Sequence, residues 1–155
     1  MRIEWKKLLI CIAIPLAVGG ISALLTSGNM DLYSEINQPA LAPPGWLFPA
    51  VWTILYVLMG VALYLVVITK TREDKRPAIV SFGVQLFFNF FWSIIFFNLN
   101  QYFLAFIWLL VLLFLVAYTI YLYFGISKTA AYLQIPYILW LLFALYLNYG
   151  IYTLN

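Results

Sequence analysis

Long apolar stretches of about 20 residues alternate along the chain with short polar or turn-forming segments. A bilayer core about 30 Å thick is crossed by about 20 helical residues, so each stretch has the length of a transmembrane helix. The short breaks between them favour antiparallel neighbours. The pattern predicts an all-α membrane protein, a bundle of five transmembrane helices forming one domain over residues 1–155. The predicted spans are residues 8–26, 47–69, 78–97, 102–124 and 130–154.

Composition supports the same class of protein. Apolar residues make up 66% of the chain and charged residues 8%, against roughly 25% charged residues in soluble domains. Such a chain lacks the polar surface that water requires, whereas a helix in lipid only has to satisfy its own backbone hydrogen bonds. The expected location is a membrane, with the lipid bilayer as the main partner.

Charge sets the predicted orientation. All eight lysines and arginines fall before the first span, between spans two and three, or between spans four and five. Because basic loops stay on the cytoplasmic side, the N-terminus is predicted to be cytoplasmic and the C-terminus outside. Charge placed in this way gives no nucleic-acid footprint. The basic residues are Arg2, Lys6, Lys7, Lys70, Arg72, Lys75, Arg76 and Lys128.

The segment between the first two spans, residues 27–46, is much longer than the other connections. Unstructured loops of this length are usually functional or disordered, and here apolar residues and three prolines argue against disorder. Residues 31–37 are predicted to form a short amphipathic helix. We expect a folded lid over the outer end of the bundle, and the alternative is a connector lying along the membrane surface.

Metal and acid–base chemistry are disfavoured. The chain has no histidine and a single cysteine, Cys11, so the commonest metal ligand is missing and no metal site or cofactor is expected. No Asp, Glu or Lys lies deep within a predicted span to move protons. A binding protein is therefore favoured over a hydrolytic enzyme.

Three predicted spans each carry a stripe of aromatic and polar residues at spacings of three and four. At 1.5 Å per residue, Trp52 lies roughly 8 Å and Asn89 roughly 12 Å below the outer ends of their helices, and Trp140 near the middle of its own. They are expected to meet beneath the lid, although packing, with Gln85 and Asn89 as structural hydrogen-bonding residues, is the alternative. The candidate ligand-binding residues are Pro49, Trp52, Tyr56, Gln85, Asn89, Trp92, Tyr137, Trp140, Phe143 and Ala144.

Walls of aromatic rings, amides and hydroxyls with almost no charge predict a large, flat and mostly apolar ligand. Sterols, tetrapyrroles and polycyclic drugs all have this character. Without histidine, haem ligation would fall to Met, Tyr or Cys, so a metal-free porphyrin fits more easily.

Three segments carry a resemblance: PALAPPGWLFPAVWTILYVLMG (39–60), QLFFNFFWSIIFF (85–97) and IPYILWLLFALYLNYGIYTLN (135–155). Together they resemble the translocator protein family, also called tryptophan-rich sensory proteins or peripheral benzodiazepine receptors. The resemblance implies a five-helix membrane protein, often a homodimer, that binds porphyrins such as protoporphyrin IX. Animal members also bind cholesterol, but their basic cholesterol motif has no counterpart after Lys128.

By motif position, the family's cavity tryptophans correspond to Trp52 and Trp140, its cavity asparagine to Asn89 and its small residue on the last helix to Ala144. Some bacterial members degrade protoporphyrin in a light-dependent oxidation, which implies a catalytic role for Trp52 and Trp140 if this chain does the same. Porphyrin binding is the first hypothesis. Light- and oxygen-dependent degradation at the same cavity and passive porphyrin transport are the alternatives.

Overall fold

The computed structural model describes residues 2–155, and the regular structure in that range is helical. Five segments are long and apolar enough to cross a membrane: Trp5–Asn29, Leu47–Ile68, Arg76–Asn98, Tyr102–Ile126 and Lys128–Leu154. The predicted five-helix membrane bundle is confirmed, and the chain is a multi-pass integral membrane protein. The helices are α1 (Trp5–Thr26), α2 (Leu32–Glu35), α3 (Leu47–Ile68), α4 (Arg76–Ser93), α5 (Tyr102–Ile126), α6 (Lys128–Leu133) and α7 (Ile135–Leu154).

The helices close a ring whose order differs from chain order. α1 packs between α3 and α4, α4 packs on α5, and α5 packs on α6 and α7, while α6 returns to α3. The backbones of α3 and α7 lie farther apart, and aromatic side chains bridge them. At one end of the ring the lid segment crosses the bundle, and all the basic residues lie at or near the opposite end; we call these the lid end and the basic end.

Helices α1 and α3 approach most closely at Gly60. A Cβ atom there would lie 2.7 Å from the carbonyl oxygen of Cys11 and 2.9 Å from the backbone nitrogen of Ile12. Only glycine allows two helix backbones to come this near. The bundle is therefore tightly closed at this level, toward the basic end.

Two helices depart from the predicted single spans. The fifth is broken at Gln134 into α6 and α7, and Pro136 lies in the first turn of α7, where its missing N–H costs no hydrogen bond. The third ends in a π-helical turn, Ile94–Asn98, in which the Leu99 N–H donates to the Ile94 carbonyl at 3.1 Å. The first break falls at the polar Gln134, and in the second a wider π-helical turn replaces the regular helix.

The lid consists of a 3₁₀ turn, Ser27–Asn29, the single turn of α2, and a proline-rich segment of turns and irregular structure. Its helix is shorter than the predicted residues 31–37, because Ile36 is already extended, with ψ 157°. Asn29 donates to Asn98 beyond α4 at 2.9 Å. At the other side, the backbone N–H of Asn37 donates to Asn155 Oδ1 at 3.0 Å, and Asn155 Nδ2 donates back to the Asn37 carbonyl at 2.8 Å.

Candidate ligand cavity

A cavity of about 670 Å³ lies under the lid, between α1, α3, α4 and α7. Its volume falls within the roughly 300–1,000 Å³ of ordinary small-molecule pockets. Five of the predicted ligand-binding residues line it, namely Pro49, Trp52, Tyr56, Trp92 and Ala144.

Aromatic rings of α3 form one wall. Trp52 stacks on Tyr56 with ring centroids 5.6 Å apart and planes 28° from parallel, because the two residues are four positions apart on one helix face. Trp52 also meets the ring of Tyr137 edge-on at 6.1 Å. These contacts hold the indole in place beside the cavity.

A hydrogen-bonded network closes the cavity toward the basic end. Tyr56 donates its hydroxyl hydrogen to Asn89 Oδ1 at 2.7 Å, and Asn89 Nδ2 donates to the Tyr137 hydroxyl oxygen at 2.8 Å. Tyr137 in turn donates to Gln85 Oε1 at 2.9 Å. Of the four residues only Tyr56 lines the cavity, so Gln85, Asn89 and Tyr137 form the layer beneath it. We call this network the cavity floor.

A second polar contact fixes the wall formed by α4 and α7. Trp92 Nε1 donates to Asn148 Oδ1 at 3.1 Å, and Asn148 Nδ2 donates to the Tyr102 carbonyl at 2.8 Å. The Trp92 indole and the Asn148 amide both line the cavity, and these two hydrogen bonds already use the indole N–H and one amide N–H. The small side chain of Ala144 leaves room beside them.

Trp140 and Phe143 do not line the cavity. The ring of Trp140 packs edge-on against Phe48 at 5.9 Å, and Phe48 is the residue that reaches the cavity. Phe143 packs against Trp140 at 5.4 Å, and the buried Trp140 indole N–H has no hydrogen-bond partner among residues 2–155. The structure therefore differs from the prediction that Trp140 and Phe143 line the cavity, because the ring of Phe48 lies between the Trp140 indole and the cavity.

The cavity reaches the protein surface in the lid half of the bundle, where exposed residues of α1, α3 and the lid line it. Ala23 and Pro49 both line it and are exposed on the bundle surface. Nearer the middle of the membrane, α1 and α3 come into contact, since a Cβ on Gly19 would lie 2.6 Å from Tyr56 Cζ. The opening therefore lies in the lid half of the bundle.

Charge is nearly absent from the cavity. In the described part of the chain, Asp31, an exposed lid residue, is the only charged residue that lines the cavity, and no lysine or arginine does. In the lid, Tyr33 donates its hydroxyl to the Pro43 carbonyl at 3.0 Å. Burial raises the pKa of Tyr33 above its ordinary value, so the phenol stays neutral.

Sequence reasoning missed the contributions of α1, the lid and the end of α4. Ser22 and Thr26 form a polar pair four residues apart in an otherwise apolar helix, a signal that could have identified the α1 wall. Tyr33 gave no comparable signal, because loop conformation is not periodic. Phe48 lies in α3 four residues before Trp52, so helical spacing could have placed it on the same face. The missed lining residues include Ser22, Thr26, Tyr33, Phe48, Ser93 and Phe97.

The sequence model of the TspO/MBR family matches residues 11–154. The chain belongs to this family. A tryptophan-rich protein TspO of Chlorobaculum tepidum is 35% identical, and the alignment covers 100% of this chain and 99% of that protein. A protein of the same name in Archaeoglobus fulgidus is 37% identical over 96% of this chain and 97% of its own length. The human translocator protein is 34% identical over 79% of this chain and 74% of its own.

These matches confirm the resemblance seen in the sequence. TspO/MBR membership supports a receptor-like or sensory membrane protein.

Proposed function

We propose that the protein binds porphyrins such as protoporphyrin IX, and other flat hydrophobic molecules, in the cavity under the lid. The observation that carries the proposal is the cavity itself: about 670 Å³, walled by Trp52, Tyr56, Trp92 and Phe96, and nearly without charge. Flat aromatic walls favour flat aromatic ligands through stacking and apolar burial. The relatives in Chlorobaculum tepidum and Cereibacter sphaeroides make a bacterial plasma membrane the proposed location.

Fluorescence titration tests the proposal. Protoporphyrin IX added to the detergent-solubilised protein should quench tryptophan emission saturably. Trp52→Phe should weaken binding by about three- to tenfold, because it removes an aromatic contact worth roughly 0.5–1.5 kcal/mol. Trp5→Phe is the matched control, since Trp5 is 64% exposed at the start of α1, far from the cavity.

Ala144→Phe provides a second test by filling the cavity rather than changing its walls. Ala144 is buried and lines the cavity, so a phenyl ring there should occupy ligand volume and abolish saturable quenching. Binding unchanged in both Trp52→Phe and Ala144→Phe would remove the site assignment. Absence of saturable quenching in the wild-type protein would remove the function.

A light- and oxygen-dependent oxidation of the bound porphyrin is the second candidate. The observation that favours it is the Trp52–Tyr56 stack, which sets an oxidisable indole at the cavity and a phenol directly behind it. Oxygen would be the oxidant and the porphyrin the molecule oxidised. Trp52 is the better placed of the two tryptophans, because Phe48 separates Trp140 from the cavity.

Illumination distinguishes the two functions. Porphyrin absorbance should decay into a distinct product in wild-type protein under air, and this product should be lost in Trp52→Phe at saturating porphyrin. Decay at the rate seen with an unrelated membrane protein would leave binding as the function. The same measurement on Trp140→Phe tells whether the second indole takes part.

A further inference from the structure

Most polar side chains around the cavity are already hydrogen-bonded within the protein. The hydroxyl of Ser22 donates to the Phe90 carbonyl at 3.2 Å, and that of Thr26 donates to the Ser22 carbonyl at 2.9 Å. In the lid, Ser34 donates to the Asp31 carbonyl at 2.6 Å. Gln38, Tyr56, Trp92 and Asn148 have protein partners as well.

Ser93 is an exception. It lines the cavity, it is half-buried, and within residues 2–155 its hydroxyl makes no hydrogen bond. Serine in a helix commonly bonds the carbonyl three or four residues before it. Three residues before Ser93 is Phe90, whose carbonyl accepts from Ser22 of α1 instead. The π-helical turn starts directly after Ser93, so this serine ends the regular helix at the cavity wall.

We infer that Ser93 is a specificity-determining residue, which donates its hydroxyl hydrogen to an oxygen atom at the edge of the bound ligand. This inference rests on the proposed binding function. With no partner among residues 2–155, the Ser93 hydroxyl hydrogen is free to donate into the cavity, and an acceptor on the ligand would supply the partner that the protein does not. The Trp52 indole N–H, also without a protein partner within residues 2–155, is a second donor at the cavity.

The lack of cationic side chains in the cavity makes the Ser93 hydroxyl important. Among residues 2–155, no lysine or arginine lines the walls, so a carbonyl or carboxylate oxygen on the ligand must be satisfied by neutral donors. Ser93 stands among the apolar rings of Trp92, Phe96 and Phe97, where a hydrogen bond is stronger than in water. The ligand class is therefore a flat hydrophobic molecule with a carbonyl or carboxylate oxygen on one edge, in preference to a pure hydrocarbon periphery.

Two porphyrins and three variants test the inference. Protoporphyrin IX carries two carboxylates, and an octaalkyl porphyrin has the same ring without oxygen. Ser93→Ala should weaken protoporphyrin IX binding about tenfold, the effect of losing one hydrogen bond to a charged group, and leave octaalkyl porphyrin binding unchanged. Ser93→Thr keeps the hydroxyl and should bind protoporphyrin IX as tightly as the wild type does. Ser81→Ala, which makes the same change on the same helix where the hydroxyl bonds Thr119, is the control.

The outcomes separate the two proposals. If Ser93→Ala binds both porphyrins as the wild type does, or weakens both equally, Ser93 does not read the ligand edge and the inference is overturned. If the wild-type protein binds neither porphyrin, the proposed function is overturned and the inference with it. Because Ser93 has no partner to lose, Ser93→Ala should fold as the wild type, which its thermal unfolding checks.

Discussion

Gly60 offers a direct test of how closely α1 and α3 pack. In Gly60→Ala the new methyl group would start 2.7 Å from the Cys11 carbonyl oxygen, and ordinary contact begins at 3.4 Å. The Ile12 Cα lies nearer still, so the helices must separate by more than about 0.7 Å. Overpacking costs about 1–3 kcal/mol, and the upper part of that range, about 2–3 kcal/mol, applies here because the methyl group meets helix backbone and not a flexible side chain. The better helix propensity of alanine offsets about 1 kcal/mol of this cost. We expect a net destabilisation of about 1–2 kcal/mol, or roughly 5- to 30-fold in the equilibrium for opening this contact.

The lone cysteine supplies the assay. Cys11 is 7% exposed and lies at this contact, so the rate at which a thiol-reactive fluorophore labels it reports separation of the two helices. Gly60→Ala should label faster and unfold at a lower temperature than wild type. Gly20→Ala, on α1 with nothing within 4 Å of the added methyl group, should do neither. Equal labelling rates and unfolding temperatures for Gly60→Ala and wild type would refute the close contact.

Three further predictions concern the lid and the orientation. Asn155→Ala removes the two hydrogen bonds to the backbone of Asn37, so amide hydrogen exchange in the lid should rise about fivefold. Unchanged exchange would mean that these two hydrogen bonds do not hold the lid in place. Because the folded pKa of Tyr33 lies above the ordinary 10.0, its contribution to lid stability is full below pH 10 and lost as pH rises further. The protection of lid amides, which is exchange corrected for its intrinsic base catalysis, should therefore fall above pH 10 in wild type and not in Tyr33→Phe. In intact cells an impermeant maleimide should label Glu35→Cys and not Arg72→Cys, and the reverse result would invert the predicted topology.

The helices could be predicted because lipid imposes a simple rule. The ends of α3 and α5 fall within two residues of the predicted spans, since polar residues at the helix ends mark where the apolar core stops. Pro136 predicts that the fifth span is interrupted or bent, but not which of the two, because a proline in an apolar run is compatible with either. The structure shows the interruption, at Gln134.

The site could be predicted only in part, for a physical reason. Helical periodicity gave the correct facing for Trp52, Asn89 and Trp92, because those residues share faces at spacings of three and four. It does not give the order of helices around the ring or the conformation of the lid. Trp140 was therefore placed at the cavity, while Phe48, which separates it from the cavity, was missed.

The cavity floor closes the cavity on the side of the basic end. Tyr56, Asn89, Tyr137 and Gln85 are bonded to one another across three helices, and toward the basic end the backbones of α1 and α3 touch at Gly60. A molecule in the cavity has no open path toward the basic end unless the hydrogen bonds of the cavity floor break and α1 and α3 separate. A ligand would therefore have to enter and leave through the lid half of the protein, which is the arrangement of a pocket and not of a channel through the membrane.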